Sequence, residues 1–261
     1  CNKNKMKTLS DTFGRKFPYI RLSITDVCNY SCTYCLPQGY KKTPGDTRSF
    51  MSAQEISRLT KALSELGVCK IRLTGGEPTV RKDFFDILKD MKQNSNIPKV
   101  TMTTNGYRLD KIAEQLSEAG LDGINISIDS LNREKFAKIT RRDAFPEVYK
   151  TLDLLEKSSL NLKLNVVVQS GVNTDEIVDF ARFTKDKKVA VRFIEEMPFN
   201  GKGQREMEEN WTFKRILEEI KTEFDVKEVV SEKSSTSRNY AIDNHLGTVG
   251  IIPAFTRTIC N

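Results

Sequence analysis

Histidine, tryptophan and long apolar runs are scarce in this sequence, and each shortage excludes something. The 261 residues contain one histidine and one tryptophan, and 38% of them are hydrophobic, which indicates a globular chain. No apolar run approaches the length that crosses a membrane and no signal-peptide pattern is present, so we expect a cytoplasmic protein without a membrane partner. The six cysteines form no even framework, which fits a reducing compartment.

Positive charge is in excess. Lysines and arginines together number 42 against 35 aspartates and glutamates, a formal net charge of +7. That balance indicates an acidic partner, for which a polyphosphate substrate and nucleic acid are the candidates. A nucleic-acid-binding face would interleave aromatic with basic residues, whereas the basic residues here fall within predicted strands and only one tryptophan is present. We therefore expect no nucleic acid partner.

Short β-type runs alternate with amphipathic helical patterns through residues 1–198, which is typical of parallel βα units. The predicted strands span residues 19–25, 70–74, 99–104, 123–128, 162–168 and 189–194. After a polar loop, residues 211–224 form one more helical pattern and residues 227–252 predict antiparallel strands. The expected fold is α/β: a partial (βα)6 TIM-like barrel of residues 1–198, with a small C-terminal antiparallel β extension of residues 199–261.

Every predicted strand has polar residues on one of its two faces. Residues two apart share a face of a strand, and on four strands the polar set includes a basic residue: Arg21, Arg72, Lys163 and Arg192. A parallel sheet covered by helices should instead be apolar on both faces. The alternatives are a solvent-exposed face and buried arginines that pair with internal carboxylates. The intervening helices and the four separate strands favour a lumen that binds a multiply charged anion.

Three cysteines, Cys28, Cys32 and Cys35, follow the first predicted strand at C-x3-C-x2-C spacing. A closed zinc or iron–sulfur site normally takes four protein ligands, so three thiolates on a cubane cluster leave one iron free to bind a small molecule. A zinc knuckle would want a fourth ligand nearby, but the one histidine, His245, lies far along the chain. A disulfide pair fits three clustered cysteines poorly.

This spacing resembles the signature of the radical S-adenosylmethionine (SAM) enzymes, and the expected fold then becomes a radical SAM barrel. The resemblance implies a [4Fe-4S] cluster on Cys28, Cys32 and Cys35, with SAM bound at the open iron and cleaved to a 5′-deoxyadenosyl radical. Because the cofactors supply that chemistry, no side chain is assigned a catalytic role.

The resemblance also implies four SAM contacts. Gly76, in the segment Thr74-Gly75-Gly76-Glu77-Pro78, would hold the methionyl amino group, and Tyr34 would lie beside the adenine. Ser127 would contact the methionyl carboxylate, and Met197 would be a further contact. By themselves the two glycines are an ordinary turn signal, and a core methionine is an equal alternative for Met197.

Several segments resemble one subfamily of these enzymes, the GTP 3′,8-cyclases of molybdenum cofactor biosynthesis. They are residues 20–26, 70–78, 103–106, 125–130, 163–167 and 192–195. The resemblance implies that the substrate is GTP, that the radical abstracts the ribose 3′-hydrogen, and that attack on C8 of guanine gives 3′,8-cyclo-7,8-dihydro-GTP. The residues that it implies contact GTP are Arg21, Arg72, Thr103, Lys163 and Arg192.

That subfamily has a second [4Fe-4S] cluster on a C-x2-C pair and a later cysteine, beside an R-x-R segment. Residues 255–261 resemble the approach to the pair, with Cys260 as its first cysteine. We therefore expect a C-terminally truncated piece, in which Cys260 is one ligand of a cluster that only the full-length chain completes. Considered alone, Cys260 would be a free thiol.

The resemblance also implies partners. They are a reducing electron donor and a downstream cyclic pyranopterin monophosphate synthase, and a homodimer is a candidate assembly. Two other functions stay open: a radical SAM enzyme that modifies peptides, and a non-enzymatic basic iron–sulfur protein that binds nucleic acid. Basic residues on four strands favour a triphosphate over a peptide.

Overall fold

One sheet organises the computed structural model, which describes residues 8–42, 45, 47, 49–197, 211–230 and 236–256. The strands in these residues are β1 (Tyr19–Ser23), β2 (Lys70–Thr74), β3 (Lys99–Thr104), β4 (Gly123–Ser127), β5 (Asn161–Val168), β6 (Ala190–Glu195), β7 (Val226–Val229), β8 (Arg238–Ile242) and β9 (Thr248–Ile252). They form a single sheet in the order β1-β2-β3-β4-β5-β6-β9-β8-β7. The first six are parallel and adjacent in chain order, as the sequence predicts.

Helices connect the parallel strands. Those in the described residues are α1 (Ala53–Glu65), α2 (Phe84–Gln93), α3 (Ala113–Glu118), α4 (Arg133–Thr140), α5 (Phe145–Glu156), α6 (Ile177–Arg182) and α7 (Phe213–Ile220). Within the same residues, none of the helices is both long and apolar enough to cross a membrane. The βα alternation confirms the predicted α/β class and the partial barrel.

Helix α1 shows how local sequence fixes these elements. The Ser52 hydroxyl accepts a 3.2 Å hydrogen bond from the Glu55 backbone N–H, and the Glu55 carboxylate accepts one of 2.8 Å from the Ser52 backbone N–H. This capping box satisfies two N–H groups that would otherwise lack partners. One face of the helix then buries Ile56 against the core.

Helix α4 was not predicted from the sequence. It spans only Arg133–Thr140, and its buried apolar side chains are Phe136 and Ile139, too few for a clear period. Asn132 caps its first turn by accepting a 3.0 Å hydrogen bond from the Lys135 backbone N–H. The omission matters because the end of α4 contacts the cysteine loop.

The two faces of the parallel sheet differ as predicted. The apolar parity is fully buried, as at Ile71 on β2, Ile124 on β4 and Leu164 on β5. The polar parity is aligned by the register, which pairs Arg21 with Arg72 and Asn125 with Lys163. The polar residues of separate strands therefore line one common face, which we call the lumen.

The C-terminal strands continue this sheet. Strand β9 pairs in parallel with β6, and β8 and β7 then add antiparallel strands at that edge. The predicted antiparallel arrangement therefore holds for β7 and β8, whereas β9 joins the barrel strands directly. The predicted boundary between residues 198 and 199 lies outside the described residues and stays a prediction.

Candidate active site

The three cysteines lie on the loop that follows β1. Cys28 and Cys32 are partly buried and Cys35 is exposed. Within the loop, the backbone N–H of Cys35 donates a 3.1 Å hydrogen bond to the carbonyl of Cys32. The end of α4 holds the loop from outside, because the Thr33 N–H donates to the carbonyl of Ile139 at 2.9 Å. The structure thus brings the three predicted ligands together on one braced segment.

The donor set fits the predicted cluster. In the described ranges, no group of three or more His, Cys, Asp or Glu side chains could hold a single metal ion. A cubane cluster binds each thiolate through a different iron, so three separated thiols on one loop are compatible with it. Burial raises the pKa of Cys32 to about 12, and it also raises the pKa values of Cys28 and Cys35. Because metal-bound thiols are deprotonated, cluster binding must release these protons.

The segment that follows β2, which contains Gly75 and Gly76, braces the cysteine loop. The Gly76 N–H donates a 2.7 Å hydrogen bond to the carbonyl of Thr25, and the Glu77 N–H donates one of 2.8 Å to the carbonyl of Val27. A Cβ atom at Gly76 would lie 2.4 Å from the Val27 carbonyl oxygen, and one at Gly75 would lie 2.4 Å from that of Thr25. The close approach that these glycines permit is therefore to the protein's own loop, and the SAM contact of Gly76 stays a prediction.

Glu77 is a structural centre that the sequence analysis did not identify. Its carboxylate is fully buried and accepts hydrogen bonds from the Thr79 hydroxyl at 2.6 Å, the Thr104 hydroxyl at 2.8 Å and the Asn105 backbone N–H at 2.7 Å. Burial nevertheless raises the pKa of this carboxyl. The Asn105 amide in turn donates to the Asn29 side chain at 2.7 Å. Glu77 thus links the ends of β2 and β3 to the cysteine loop.

The four predicted SAM contacts lie beyond or at the carboxyl ends of strands. Tyr34 and Gly76 follow β1 and β2, Ser127 is the last residue of β4, and Met197 follows β6 and is 38% exposed. The exposure of Met197 excludes the core-methionine alternative. Tyr34 also donates a 2.8 Å hydrogen bond to Asp129, a buried carboxylate whose pKa burial raises to about 6.

The four predicted cations lie on the lumen face of their strands. Arg72 and Arg192 are buried, Lys163 is partly buried, and Arg21 is exposed at the edge strand β1. Arg192 donates to the Asn165 side chain at 2.7 Å, and Arg72 lies over the Tyr19 ring. Within the described residues none of the four forms an ion pair, so no described carboxylate supports the alternative of internal partners.

The pKa values record this accumulation of positive charge. Burial, and then the charges of Arg192, Lys70 and Arg72, lower the pKa of Lys163 to about 8. Burial, and then Arg72 and Arg21, lower the pKa of Arg192 to about 10. A buried cluster of like charges is unfavourable unless an anion neutralises it. The positive charge of the lumen therefore favours the binding of an anionic ligand.

Buried polar atoms without hydrogen-bond partners are a second indication that the lumen binds a ligand. Among the described residues, the buried side-chain atoms Asn125 Nδ2, Gln169 Nε2 and Arg192 Nε lack hydrogen-bond partners. Asn125 and Arg192 lie on the lumen parity of β4 and β6, and Gln169 directly follows β5. Buried donors of native proteins nearly always have partners, so a polar ligand is expected here.

The basic residues concentrate at the amino-terminal end of the lumen. A small cavity there is lined by Lys70, Arg72, Lys99 and Lys163, among others. The cysteine loop lies at the opposite, carboxyl ends of the strands. Thr103, the remaining predicted GTP contact, is partly buried on β3 opposite Asn125, between these two ends. The lumen can thus place an anionic group at one end and a reacting group near the cysteines.

Two further residues escaped the sequence analysis. Glu195, at the end of β6, accepts hydrogen bonds from the backbone N–H groups of Phe213, Phe255 and Thr256 and so ties the start of α7 and the segment after β9 to the end of β6. A Cβ atom at Gly250 on β9 would lie 2.5 Å from the Ser237 hydroxyl oxygen and 2.7 Å from Asn239 Oδ1, so this glycine chiefly makes room for those two side chains. Cys260, the predicted ligand of a second cluster, lies outside the described residues.

Comparison with known families agrees with this geometry. Residues 22–184 match the radical SAM superfamily, and residues 189–261 match the family described as Molybdenum Cofactor Synthesis C. The first match covers more than half of the chain.

Two relatives align along nearly the whole chain. The GTP 3′,8-cyclase of Chlorobaculum tepidum is 39% identical over 98% of this chain and 77% of its own length. The molybdenum cofactor biosynthesis protein moc-5 of Caenorhabditis elegans is 42% identical over 96% of this chain, which spans only 42% of that protein. Among solved structures, SuiB of Streptococcus suis bound to S-adenosylmethionine superposes with a TM-score of 0.56 over 78% of this chain and 44% of SuiB. At 19% identity, this similarity shows a shared fold alone.

Proposed function

Because the chain belongs to the radical SAM superfamily and, within it, to the family of the GTP 3′,8-cyclases, we propose that it converts GTP to 3′,8-cyclo-7,8-dihydro-GTP. This would be the first step of molybdenum cofactor biosynthesis. The observation that supports it best is the lumen beside the loop of three cysteines: among the described residues, its four cations form no ion pairs and three buried donors have no hydrogen-bond partner. A triphosphate matches the cations, and a nucleoside offers acceptors to the donors.

The cysteine loop would hold the cofactors. Cys28, Cys32 and Cys35 would ligate a [4Fe-4S] cluster, and Tyr34, Gly76, Ser127 and Met197 would bind SAM at its open iron. Together these cofactors supply the radical that abstracts the ribose 3′-hydrogen of GTP. The braces from Gly76, Glu77 and α4 fix the loop, so the position of the reactive group is set before the substrate binds.

The lumen residues would orient GTP. Arg21, Arg72, Lys163 and Arg192 would bind the triphosphate, and Thr103 would contact the nucleotide between the basic end and the cysteine end. With the triphosphate at the basic end of the lumen, the ribose would lie towards the carboxyl ends of the strands. Guanine recognition involves the predicted second [4Fe-4S] cluster at Cys260, which stays a prediction.

The proposed partners follow from the same chemistry. A reducing electron donor must supply the electron that SAM cleavage consumes. A downstream cyclic pyranopterin monophosphate synthase would take up the product, and a homodimer is the candidate assembly. Four lumen cations that no described carboxylate pairs with favour a triphosphate over the peptide substrate of the alternative function.

The test is anaerobic reconstitution with iron and sulfide, followed by measurement of 5′-deoxyadenosine with and without GTP. We expect about four irons on the first cluster, SAM cleavage, and cleavage that responds to GTP. Alanine at Cys28, Cys32 or Cys35 should abolish both iron retention and cleavage, whereas Thr33→Ala, an exposed residue of the same loop, should change neither. Full SAM cleavage by the triple cysteine variant would refute the proposal.

A further inference from the structure

Two arginines stack on a tyrosine beside the cysteine loop, and a third arginine is next to one of them in the chain. We call Tyr107, Arg108, Arg141 and Arg142 the Tyr107 patch. The guanidinium carbon of Arg142 lies 4.7 Å from the centroid of the Tyr107 ring, and that of Arg108 lies 5.1 Å from it. Arg141 donates a hydrogen bond to the carbonyl of Pro37, which follows Cys35 by two residues. Cation–π contacts hold the charges in place at the surface.

The patch is an uncompensated positive surface. In the described part of the chain, no carboxylate forms an ion pair with its arginines. The acids closest to it in sequence are already paired: Asp143 with Arg133 at 2.7 Å and Asp110 with Lys150 at 3.1 Å. Exposed lysines of the cysteine-loop region and of α4 add to the charge, namely Lys41, Lys42 and Lys138. An acidic macromolecule would therefore be attracted to this face.

The patch contacts the loop that would hold the cluster. The ring of Tyr107 lies 6.1 Å from that of Tyr30, which is between Cys28 and Cys32 in the chain. The Ser31 N–H donates a 3.3 Å hydrogen bond to the carbonyl of Thr140, directly before two of the arginines. A molecule bound at the patch would thus lie against the cysteine loop, on the side that the end of α4 braces.

We propose that the Tyr107 patch is the docking surface for an acidic one-electron carrier protein of the flavodoxin or ferredoxin class. The inference rests on the proposed function, which consumes one electron in each SAM cleavage. One electron would pass from the reduced carrier through the cluster to the sulfonium of SAM, where the bond between sulfur and the 5′-carbon would break to give methionine and the 5′-deoxyadenosyl radical. The carrier ends oxidised by one electron, so the step balances.

The first experiment measures docking without any redox chemistry. Oxidised flavodoxin is titrated into the protein at low ionic strength, with Arg108→Glu/Arg142→Glu as the patch variant. Arg141 is left intact because it supports the loop. The control, Arg58→Glu/Lys61→Glu, reverses two exposed charges of α1. We expect the patch variant to weaken flavodoxin binding roughly tenfold or more and the control less than about twofold, with salt abolishing the difference.

The second experiment measures 5′-deoxyadenosine formation with two reductants. Dithionite is small and needs no docking surface, whereas reduced flavodoxin must bind. The patch variant should match the wild type with dithionite and lose most activity with flavodoxin. If the variant loses iron, Arg108→Gln, a neutral change at an exposed residue, replaces it in both experiments.

The possible outcomes are distinguishable. Equal loss with both reductants, or no loss of flavodoxin binding, would overturn the docking surface. Loss of binding to a single-stranded oligonucleotide, with flavodoxin binding unchanged, would assign the patch to nucleic acid instead. Failure of the wild type to cleave SAM with dithionite would refute the proposed function, while the titration would still decide whether an acidic carrier docks.

Discussion

The phenol of Tyr34 donates a 2.8 Å hydrogen bond to one carboxylate oxygen of Asp129, 95 residues away in the chain. The other oxygen of Asp129 accepts a 2.8 Å bond from the backbone N–H of Val167. One buried carboxylate thus joins the cysteine loop to the ends of β4 and β5. The residue predicted to lie beside the adenine of SAM is therefore also a structural anchor.

We predict that Tyr34→Phe lowers the free energy of unfolding by about 1–3 kcal/mol, because the buried carboxylate loses a hydrogen-bond donor. Asp129→Asn should reduce that cost, so the two changes should couple in a double-mutant cycle. Urea unfolding of the protein without cofactors measures both effects. The control is Tyr40→Phe, at an exposed tyrosine close by in the chain. Equal costs at Tyr34 and Tyr40 would contradict the anchoring role.

Gly76→Ala should disrupt the brace between β2 and the cysteine loop. The new Cβ would lie 2.4 Å from the Val27 carbonyl oxygen and 2.6 Å from that of Asp26, and backbone atoms cannot rotate away. We expect a loss of roughly 3 kcal/mol in stability and poor iron retention after reconstitution. Gly171→Ala is the matched control. A Cβ atom there would have no neighbouring atom within 4 Å, and only the φ of +67° is unfavourable for alanine. Similar iron contents in the two variants would show that the brace is dispensable.

The affinity for GTP should fall above pH 8. Below that pH Lys163 is protonated and contributes fully to anion binding, and above it the free protein loses this charge because its pKa is only about 8. If bound triphosphate keeps the lysine protonated, Kd should be about tenfold higher at pH 9 than at pH 7. The last ionisation of the phosphates has a pKa of about 6, below this window.

Lys163→Arg serves as the control for that titration, because an arginine stays charged throughout the range. Calorimetric binding of GTP by this variant should vary little between pH 7 and pH 9. A pH dependence as steep as that of the wild type would assign the titration to another group.

Glu195→Gln should selectively lower the local stability of the segment that follows β9. The carboxylate accepts bonds from four donors, the N–H groups of Phe213, Phe255 and Thr256 and the Thr256 hydroxyl, and an amide would turn its own N–H groups towards some of them. We expect a loss of about 1.5–3 kcal/mol. Hydrogen exchange should accelerate at Phe255 and Thr256 but not in β2.

Glu228→Gln, on the exposed edge strand β7, is the control for the same charge change. It should leave hydrogen exchange unchanged at both positions. Unaltered protection of Phe255 and Thr256 in Glu195→Gln would mean that β9 alone holds this segment.

Features with a local signal could be predicted from the sequence. The spacing of Cys28, Cys32 and Cys35 places three thiols on one loop wherever the strands lie. The alternation of polar and apolar residues predicted the strands and the lumen face, because side chains on a strand repeat every two residues. Helix α4 was missed because two apolar positions give no measurable period. The sequence does not test the roles of Tyr34, Gly76, Ser127 and Met197 in SAM binding, which stay predictions.

The sequence by itself therefore determined which chemical groups are present and on which face of each strand they lie. Only the tertiary structure decided that Arg21 pairs in register with Arg72, that no described carboxylate neutralises the lumen, and that β9 lies beside β6. It also decided that Tyr34 reaches Asp129 and that Glu77 joins three loops. These relationships depend on register and on contacts between residues distant in the chain, and those contacts are fixed by packing of the whole core rather than by any local pattern.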